Sequence, residues 1–118
     1  MPRLSALVVL LLCCSLGRSG DWPQWLGPNR DATSAEKIAP WKETPKVLWR
    51  QPIGEGHSSP IVASGKVFVH SRVANKNEEE VLALDADSGK ELWRMAYARA
   101  PFTSLFGSGP RATPAVAD

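Results

Sequence analysis

Two polar side chains occupy matching places in the sequence and are the first candidates for a binding site. His57 lies just before Ser58-Ser59-Pro60, and Arg111 lies just before Thr113-Pro114. If each segment begins a β-strand, the imidazole and the guanidinium are presented at strand entries, where a rigid β scaffold often carries its binding residues. The alternative is that both are polar residues at strand entries and hold no ligand.

The carboxylates do not form a metal-binding motif. Asp85-x-Asp87-x-Gly89 has the spacing that opens a calcium loop, but Gly89 and Ala96 occupy positions that require an oxygen ligand and a glutamate. The run Glu78–Glu80 is interpreted as a solvated strand entry. Neither Gly-Lys pair has the upstream glycine and the hydroxyl of a phosphate-binding loop. The sequence therefore predicts no catalytic residue and no metal ligand.

The first seventeen residues have the pattern of a signal peptide. Arg3 precedes the apolar run Leu4–Leu12, and the small residues Ser15 and Gly17 lie at the positions expected before a cleavage point. The apolar run is shorter than the roughly 20 residues of a membrane-spanning helix, so no stable span is expected. We expect a secreted or periplasmic protein. A lipoprotein is the less favoured alternative, because Leu12 directly before Cys13-Cys14 fits lipid attachment poorly.

Charge and cysteine usage exclude further classes. The chain has 14 Lys and Arg against 12 Asp and Glu, which gives a formal net charge of +2. This near balance does not favour nucleic acid or an acidic membrane as a partner. Both cysteines lie in the leader, so the mature chain can form no disulfide of its own.

Residues 18–45 are rich in tryptophan and proline and are interpreted as an N-terminal arm. Pro23 and Pro28 exclude a helix over the first part of the arm. The aromatic content is too high for a disordered linker. We expect an extended arm that lies on a folded body and buries Trp22 and Trp25, with an aromatic ligand platform as the alternative.

From residue 46 onward the pattern is all-β. Five strands are predicted, and Ser64-Gly65 and Asp87–Lys90 are predicted as tight turns between strands. The fourth strand is apolar on both faces, which indicates that both are covered. The predicted strands are 47–53, 59–63, 66–73, 80–85 and 91–97.

Two sequence echoes indicate a repeat. Val47-Leu48-Trp49-Arg50 is echoed by Glu91-Leu92-Trp93-Arg94 at an offset of about 44 residues. Ser59–Ala63 is echoed by Thr113–Ala117 at an offset of about 54 residues. Periods of this size with strand character are typical of propeller blades. The longer second offset places an insertion of about ten residues within 98–111, which either carries function or folds its apolar residues onto the blade.

Ala83-x-Asp85-x-x-Ser88-Gly89-Lys90-Glu91-x-Trp93 resembles the tryptophan-docking repeat of PQQ-like, or quinoprotein-type, β-propellers. That family usually has threonine at the position of Ser88. Its repeat tryptophan lies at the end of the outermost strand and docks onto the neighbouring blade, where small residues leave room for the ring. The resemblance implies structural docking roles for Ala83, Asp85, Gly89 and Trp93.

The resemblance also implies a fold for residues 46–118. This region is expected to be a blade of four antiparallel strands in an incomplete propeller, about one blade plus flanking strands, with the remaining blades of the same protein as partners. Starts of innermost strands can face the central channel, so His57 and Arg111 are the candidate ligand or cofactor contacts.

Two functions follow from the resemblance. The first is the N-terminal fragment of a secreted binding or scaffold propeller. The alternative is the N-terminal fragment of a quinoprotein dehydrogenase that oxidises alcohols or sugars. No cofactor is expected in this segment, whereas PQQ and calcium belong to the full-length protein under the second function. Calcium-binding and catalytic residues on later blades would distinguish the two.

Overall fold

A computed structural model describes residues 20–117 of the chain. The predicted signal peptide, residues 1–17 with Cys13 and Cys14, lies outside these residues. Within the described part, no helix has the length and apolar character needed to cross a membrane.

The described residues form one antiparallel sheet of four strands. In chain order these are β1 (Ile61–Ala63), β2 (Lys66–Arg72), β3 (Glu78–Asp85) and β4 (Glu91–Ala98). Each strand pairs with the next, so the sheet order is β1-β2-β3-β4. The all-β class and the four-stranded blade predicted from the sequence are confirmed.

The two predicted tight turns are present where the sequence places them. Ser64 and Gly65 join β1 to β2 with φ of 50° and 72°. Two successive positive φ values match the twist of antiparallel strands in a two-residue hairpin. Gly89 has φ of 71° in the turn between β3 and β4.

The core is centred on β3. Leu82, Ala83 and Leu84 are consecutive and all buried. Adjacent residues on a strand point to opposite faces, so β3 is covered on both, as its sequence predicted. Ile61 of β1 is completely buried as well.

The prediction of a strand over residues 47–53 is wrong. The Trp49 indole nitrogen donates a hydrogen bond to Ala86 O (2.9 Å), beside the β3–β4 turn. Arg72 N, at the far end of β2, donates to Glu55 O (2.8 Å). The segment between these contacts runs from one end of the sheet to the other without forming a hydrogen-bonded ladder. Pro52, which has no amide hydrogen, suits such an unpaired path.

The arm lies against β1, although only one of its first two tryptophans is covered. Trp22 and Val62 exchange backbone hydrogen bonds of 2.7 and 3.0 Å, and Val116 N donates to Pro23 O (2.9 Å). The Trp22 ring lies on Gly27, where a Cβ would be 2.7 Å from ring carbons. Trp25 is 61% exposed, so the prediction that the arm buries it is wrong.

Candidate functional site

The backbones of the two sequence candidates lie side by side. His57 N donates to Pro110 O (2.8 Å), next to Arg111. Two residues further on, Ser59 N donates to the Thr113 hydroxyl oxygen (3.0 Å). The two segments that echo each other in the sequence are therefore neighbours in space.

The two side chains contact different parts of the segment before Arg111, which we call the connecting loop (residues 99–111). A Cβ at Gly107 would lie 2.9 Å from His57 Nε2, so the imidazole packs against that glycine. Arg111 Nη2 donates to Ser104 Oγ (3.1 Å), and its guanidinium lies 5.9 Å from the Phe102 ring centroid. His57 therefore contacts Gly107 of the loop, whereas Arg111 contacts Ser104 and Phe102.

The connecting loop is fixed to the sheet by Arg99. Its Nη1 forms an ion pair with Glu79 Oε1 (2.9 Å), and its Nη2 donates to Ser108 O (2.7 Å). The guanidinium also lies over Phe102, 5.6 Å from the ring centroid. Ser108 N donates to Glu55 Oε1 (2.8 Å) and holds the loop from the other side. The tip remains open, because Leu105 is 100% and Phe106 80% exposed.

Glu79 is the centre of a polar network across β2, β3 and β4. The Tyr97 hydroxyl donates to Glu79 Oε2 (2.8 Å) and lies 2.7 Å from His70 Nε2. His70 Nδ1 lies 3.0 Å from the carbonyl oxygen of Ala112, which can only accept, so this nitrogen carries a hydrogen. The network therefore ties three strands to the residue after Arg111.

Burial, hydrogen bonds and charges in this network shift two pKa values in opposite directions. Burial acts to raise the pKa of Glu79, but the Tyr97 hydrogen bond and the charge of Arg99 outweigh burial, so this pKa lies below its usual value. Burial, together with the hydrogen bond to Glu79, raises the pKa of the Tyr97 hydroxyl. Tyr97 is thereby held in its protonated form, which suits a structural donor.

The interpretation of Glu78–Glu80 as a solvated strand entry is wrong for its last member. The Glu80 side chain is 5% exposed and forms an ion pair with Arg94 (2.9 Å). It also accepts a hydrogen bond from the buried Ser71 hydroxyl (3.3 Å). A buried carboxylate with these partners is satisfied and structural. All three glutamates belong to β3.

Ala83 and Trp93 of the sequence motif meet at one place on the sheet. Phe68, Ala83 and Trp93 are opposite one another on β2, β3 and β4. Because Ala83 is small, the flanking rings lean over it, and their centroids are 5.9 Å apart. Trp93 is nevertheless 44% exposed. Much of its indole is available to a further surface.

Asp85 and Gly89 shape the β3–β4 turn. Asp85 Oδ1 accepts hydrogen bonds from Ser88 N (2.8 Å) and the Ser88 hydroxyl (2.7 Å), and these bonds lower the pKa of Asp85. Gly89 is covered by Trp49, since a Cβ at Gly89 would lie 2.5 Å from Trp49 Cδ2. Trp49 is the residue whose sequence context matches that of Trp93.

The carboxylates and imidazoles of residues 20–117 are spread over structural networks. No group of three or more His, Cys, Asp or Glu side chains converges there on a point that could hold a metal ion. Asp85, the first residue of the calcium-like spacing, instead binds its own turn.

Sequence reasoning missed the network of Glu79, His70, Tyr97 and Arg99. Its members come from three strands and the connecting loop, and their spacing follows no local motif. The antiparallel register could have identified the pair Glu79 and Tyr97, because these residues lie opposite each other on β3 and β4. The position of Arg99 depends on the path of the loop.

The family comparison agrees with the geometry of the sheet. The profile of the PQQ-like repeat family described as outer membrane protein assembly factor BamB matches residues 32–117. Curated proteins and solved structures give no match. The matched region includes all four strands, the connecting loop and the second echo, residues 113–117. Because the match covers most of the sequence, the chain belongs to this family of PQQ-like repeat proteins.

Proposed function

We propose that the chain forms a blade of an exported β-propeller that serves as a binding or scaffold module. The proposal is based on two tryptophans at matching positions of the repeat. The Trp49 ring packs on Gly89, whereas Trp93 is exposed. Trp49 packs on this blade, and Trp93 is proposed to pack in the same way on the blade that follows. Repeat proteins obtain much of their stability from such contacts between neighbours.

The surface around Trp93 supports this arrangement. Trp93, Met95 and Tyr97 lie on one face of β4 and are 44%, 59% and 41% exposed. A large apolar strip of this kind on a soluble protein indicates an interface. The His70 network lies on the same face and reaches Ala112, directly before the second echo. The following blade is thus proposed to cover this face.

The proposal is tested by Trp93→Ala in the full-length protein. The variant is expected to lower the free energy of unfolding by roughly 3–5 kcal/mol, the usual cost of removing a buried tryptophan. Trp41→Ala is the matched control, because Trp41 is 81% exposed and makes no docking contact here. A loss below about 1 kcal/mol for Trp93→Ala, as expected for a surface change, would contradict the blade-to-blade contact.

The dehydrogenase alternative has a separate test. It requires PQQ and calcium to be held by residues of other blades, because residues 20–117 bring no metal-binding cluster together. The full-length protein is incubated with PQQ and calcium, and dye-linked oxidation of alcohols and sugars is measured. A binding or scaffold module is expected to give the rate of the protein-free control. Turnover above that rate would favour the dehydrogenase.

Export is proposed from the leader pattern of residues 1–17. N-terminal sequencing of the exported protein is expected to give a mature chain that begins close to residue 18. A mature protein that still begins at Met1 would contradict export by cleavage of this leader.

A further inference from the structure

Two adjoining cavities lie where the arm meets the start of the second echo. The larger, about 350 Å³, is lined by Trp25 and by Arg111, Ala112 and Thr113. The smaller, about 170 Å³, shares Trp25 and Thr113 and adds Gln24 and Arg30 from the arm. Together they form a shallow groove, which we call the arm groove, with Trp25 at its centre. The larger cavity alone is within the size range of small-ligand sites.

Trp25 is held in place although its ring is exposed. The arm is attached to β1 through Trp22 and Val62, and Pro23 O accepts a hydrogen bond from Val116 N. Gly27 N donates to Gln24 O (3.0 Å) and closes a turn around Trp25. The indole is 61% exposed on this fixed turn. A large flat apolar surface that is ordered in advance loses little entropy when a ligand covers it.

The arm groove is positively charged. Arg30 Nε donates to Gln24 Oε1 (2.9 Å), and Arg111 Nη2 donates to Ser104 Oγ. Among the described residues, neither arginine has an ion-pair partner, whereas Arg94 and Arg99 do. No Asp or Glu lines either cavity. Guanidinium groups in such surroundings favour a carboxylate ligand, which they can bind through paired hydrogen bonds.

Thr113 adds a directed polar group to the groove. Its hydroxyl oxygen accepts a hydrogen bond from Ser59 N, so the hydroxyl hydrogen is left to donate. Gln24, which also lines the groove, donates one amide hydrogen to Pro28 O (3.1 Å), and its second amide hydrogen is left to donate. The groove therefore combines one flat apolar face, two cations and neutral hydrogen-bonding groups.

We propose that the arm groove binds a carboxylate-bearing sugar ring, such as a uronate unit of an acidic polysaccharide. The carbon–hydrogen face of a pyranose packs on the Trp25 indole, Arg111 binds the carboxylate, and Thr113 and Gln24 bind ring hydroxyls. A planar aromatic acid fits less well, because Trp25 supplies the one aromatic face of the groove and the second face of the ligand would stay in water. The inference rests on the proposed binding function and names its ligand class.

The test is a calorimetric titration of the full-length protein with trigalacturonate, with neutral maltotriose as the comparison ligand. Trigalacturonate is expected to bind, and raising the salt concentration is expected to weaken it because the arginines are exposed. Arg111→Gln is expected to weaken binding by about tenfold or more, because it removes charged hydrogen bonds to the carboxylate. Trp25→Ala is expected to weaken binding by about tenfold as well, because it removes the apolar surface on which the sugar ring packs. Trp41→Ala and Arg50→Gln are the matched controls and are expected to leave the affinity unchanged.

Several results would overturn the proposal. These are no binding of trigalacturonate, equal binding of maltotriose, or an equal effect of Trp25→Ala and Trp41→Ala. Tighter binding of benzene-1,3,5-tricarboxylate than of trigalacturonate would assign the groove to aromatic acids instead. Circular dichroism checks that each variant is folded. If Trp25→Ala does not fold, Arg111→Gln still tests the proposal. The Trp93→Ala stability measurement is independent of ligand, so failure of the groove and failure of the blade arrangement are distinguishable.

Discussion

Small residues decide how closely aromatic rings approach this sheet. Gly89 and Gly65 have nearly the same φ, 71° and 72°, but their surroundings differ. Trp49 covers Gly89, whereas nothing lies within 4 Å of a Cβ placed at Gly65. Substitutions at these two glycines therefore separate the free-energy cost of a positive φ from the cost of displacing the Trp49 ring.

Gly89→Ala is expected to destabilise the full-length protein more than Gly65→Ala. A non-glycine residue in the left-handed region costs roughly 1–2 kcal/mol at either position. At Gly89 the displaced indole adds about 1–3 kcal/mol of overpacking. Urea unfolding measures both variants. In a Trp49→Ala background the two glycine substitutions should cost the same, and a persistent difference would show that Trp49 is not its cause.

The Glu79 network predicts a pH dependence of stability. The pKa of Glu79 in the folded chain lies below the ordinary value of 4.5, so its ionised form stabilises the fold. This contribution is complete above pH 4.5 and is lost as the pH falls through the lower folded-state pKa. Glu79→Gln should therefore flatten the acid side of a plot of unfolding free energy against pH.

Glu43→Gln is the control for Glu79→Gln, because Glu43 is exposed. It should leave the acid side of the profile unchanged. If the two variants give the same profile, Glu79 does not contribute through its charge.

The role of a single residue could be predicted from the sequence only where the contacts that decide it are local. The roles of Gly89 and Ser64-Gly65 in turns were predictable, because a turn is decided by the residues that form it. The exposure of Trp25 and the burial of Glu80 were not predictable. The exposure of Trp25 depends on the path that the arm takes along β1, and the burial of Glu80 depends on Arg94 and Ser71, which are distant in sequence.

At the scale of elements, alternation and turn residues identified all four strands of the sheet. The extra predicted strand, 47–53, has suitable residue types but pairs with no strand of the described sheet. Strand propensity describes a fit to a sheet surface and cannot by itself supply a neighbour. The connecting loop was recognised as an insertion, but its anchors follow from the fold.

Arg99 is expected to keep the connecting loop closed against the sheet. Arg99→Ala removes the ion pair with Glu79, the hydrogen bond to Ser108 O and the contact with Phe102. Since a charged hydrogen bond contributes roughly 1.5–3 kcal/mol, chymotrypsin should cleave the loop about tenfold faster or more. Mass spectrometry locates the cuts, which are expected at Phe102, Leu105 or Phe106. Arg50→Ala, which changes an exposed arginine, is the control and should be cleaved at the rate of the parent protein. Equal cleavage rates for the Arg99 and Arg50 variants would contradict the anchoring role of Arg99.

At the scale of the whole molecule, the sheet has more apolar surface than it can cover. Five apolar residues form the buried core, and two of them are alanines. Thirteen large hydrophobic side chains of the described residues are exposed. The free edge of β4 adds unpaired backbone groups that invite pairing with another chain. A blade of this composition depends on neighbours for its stability.

Residues 18–118 expressed alone are therefore expected not to form a stable monomer. At least three units are usually needed before stacked repeats bury a continuous core, and one blade leaves Trp93, Met95 and Tyr97 in water. Scanning calorimetry should show no cooperative unfolding, and sedimentation should show association through the exposed face and edge. The full-length protein is the control and should unfold cooperatively. A cooperative transition in monomeric 18–118 would mean that this blade is an independent domain, and the interface assigned to the Trp93 face would then have to be abandoned.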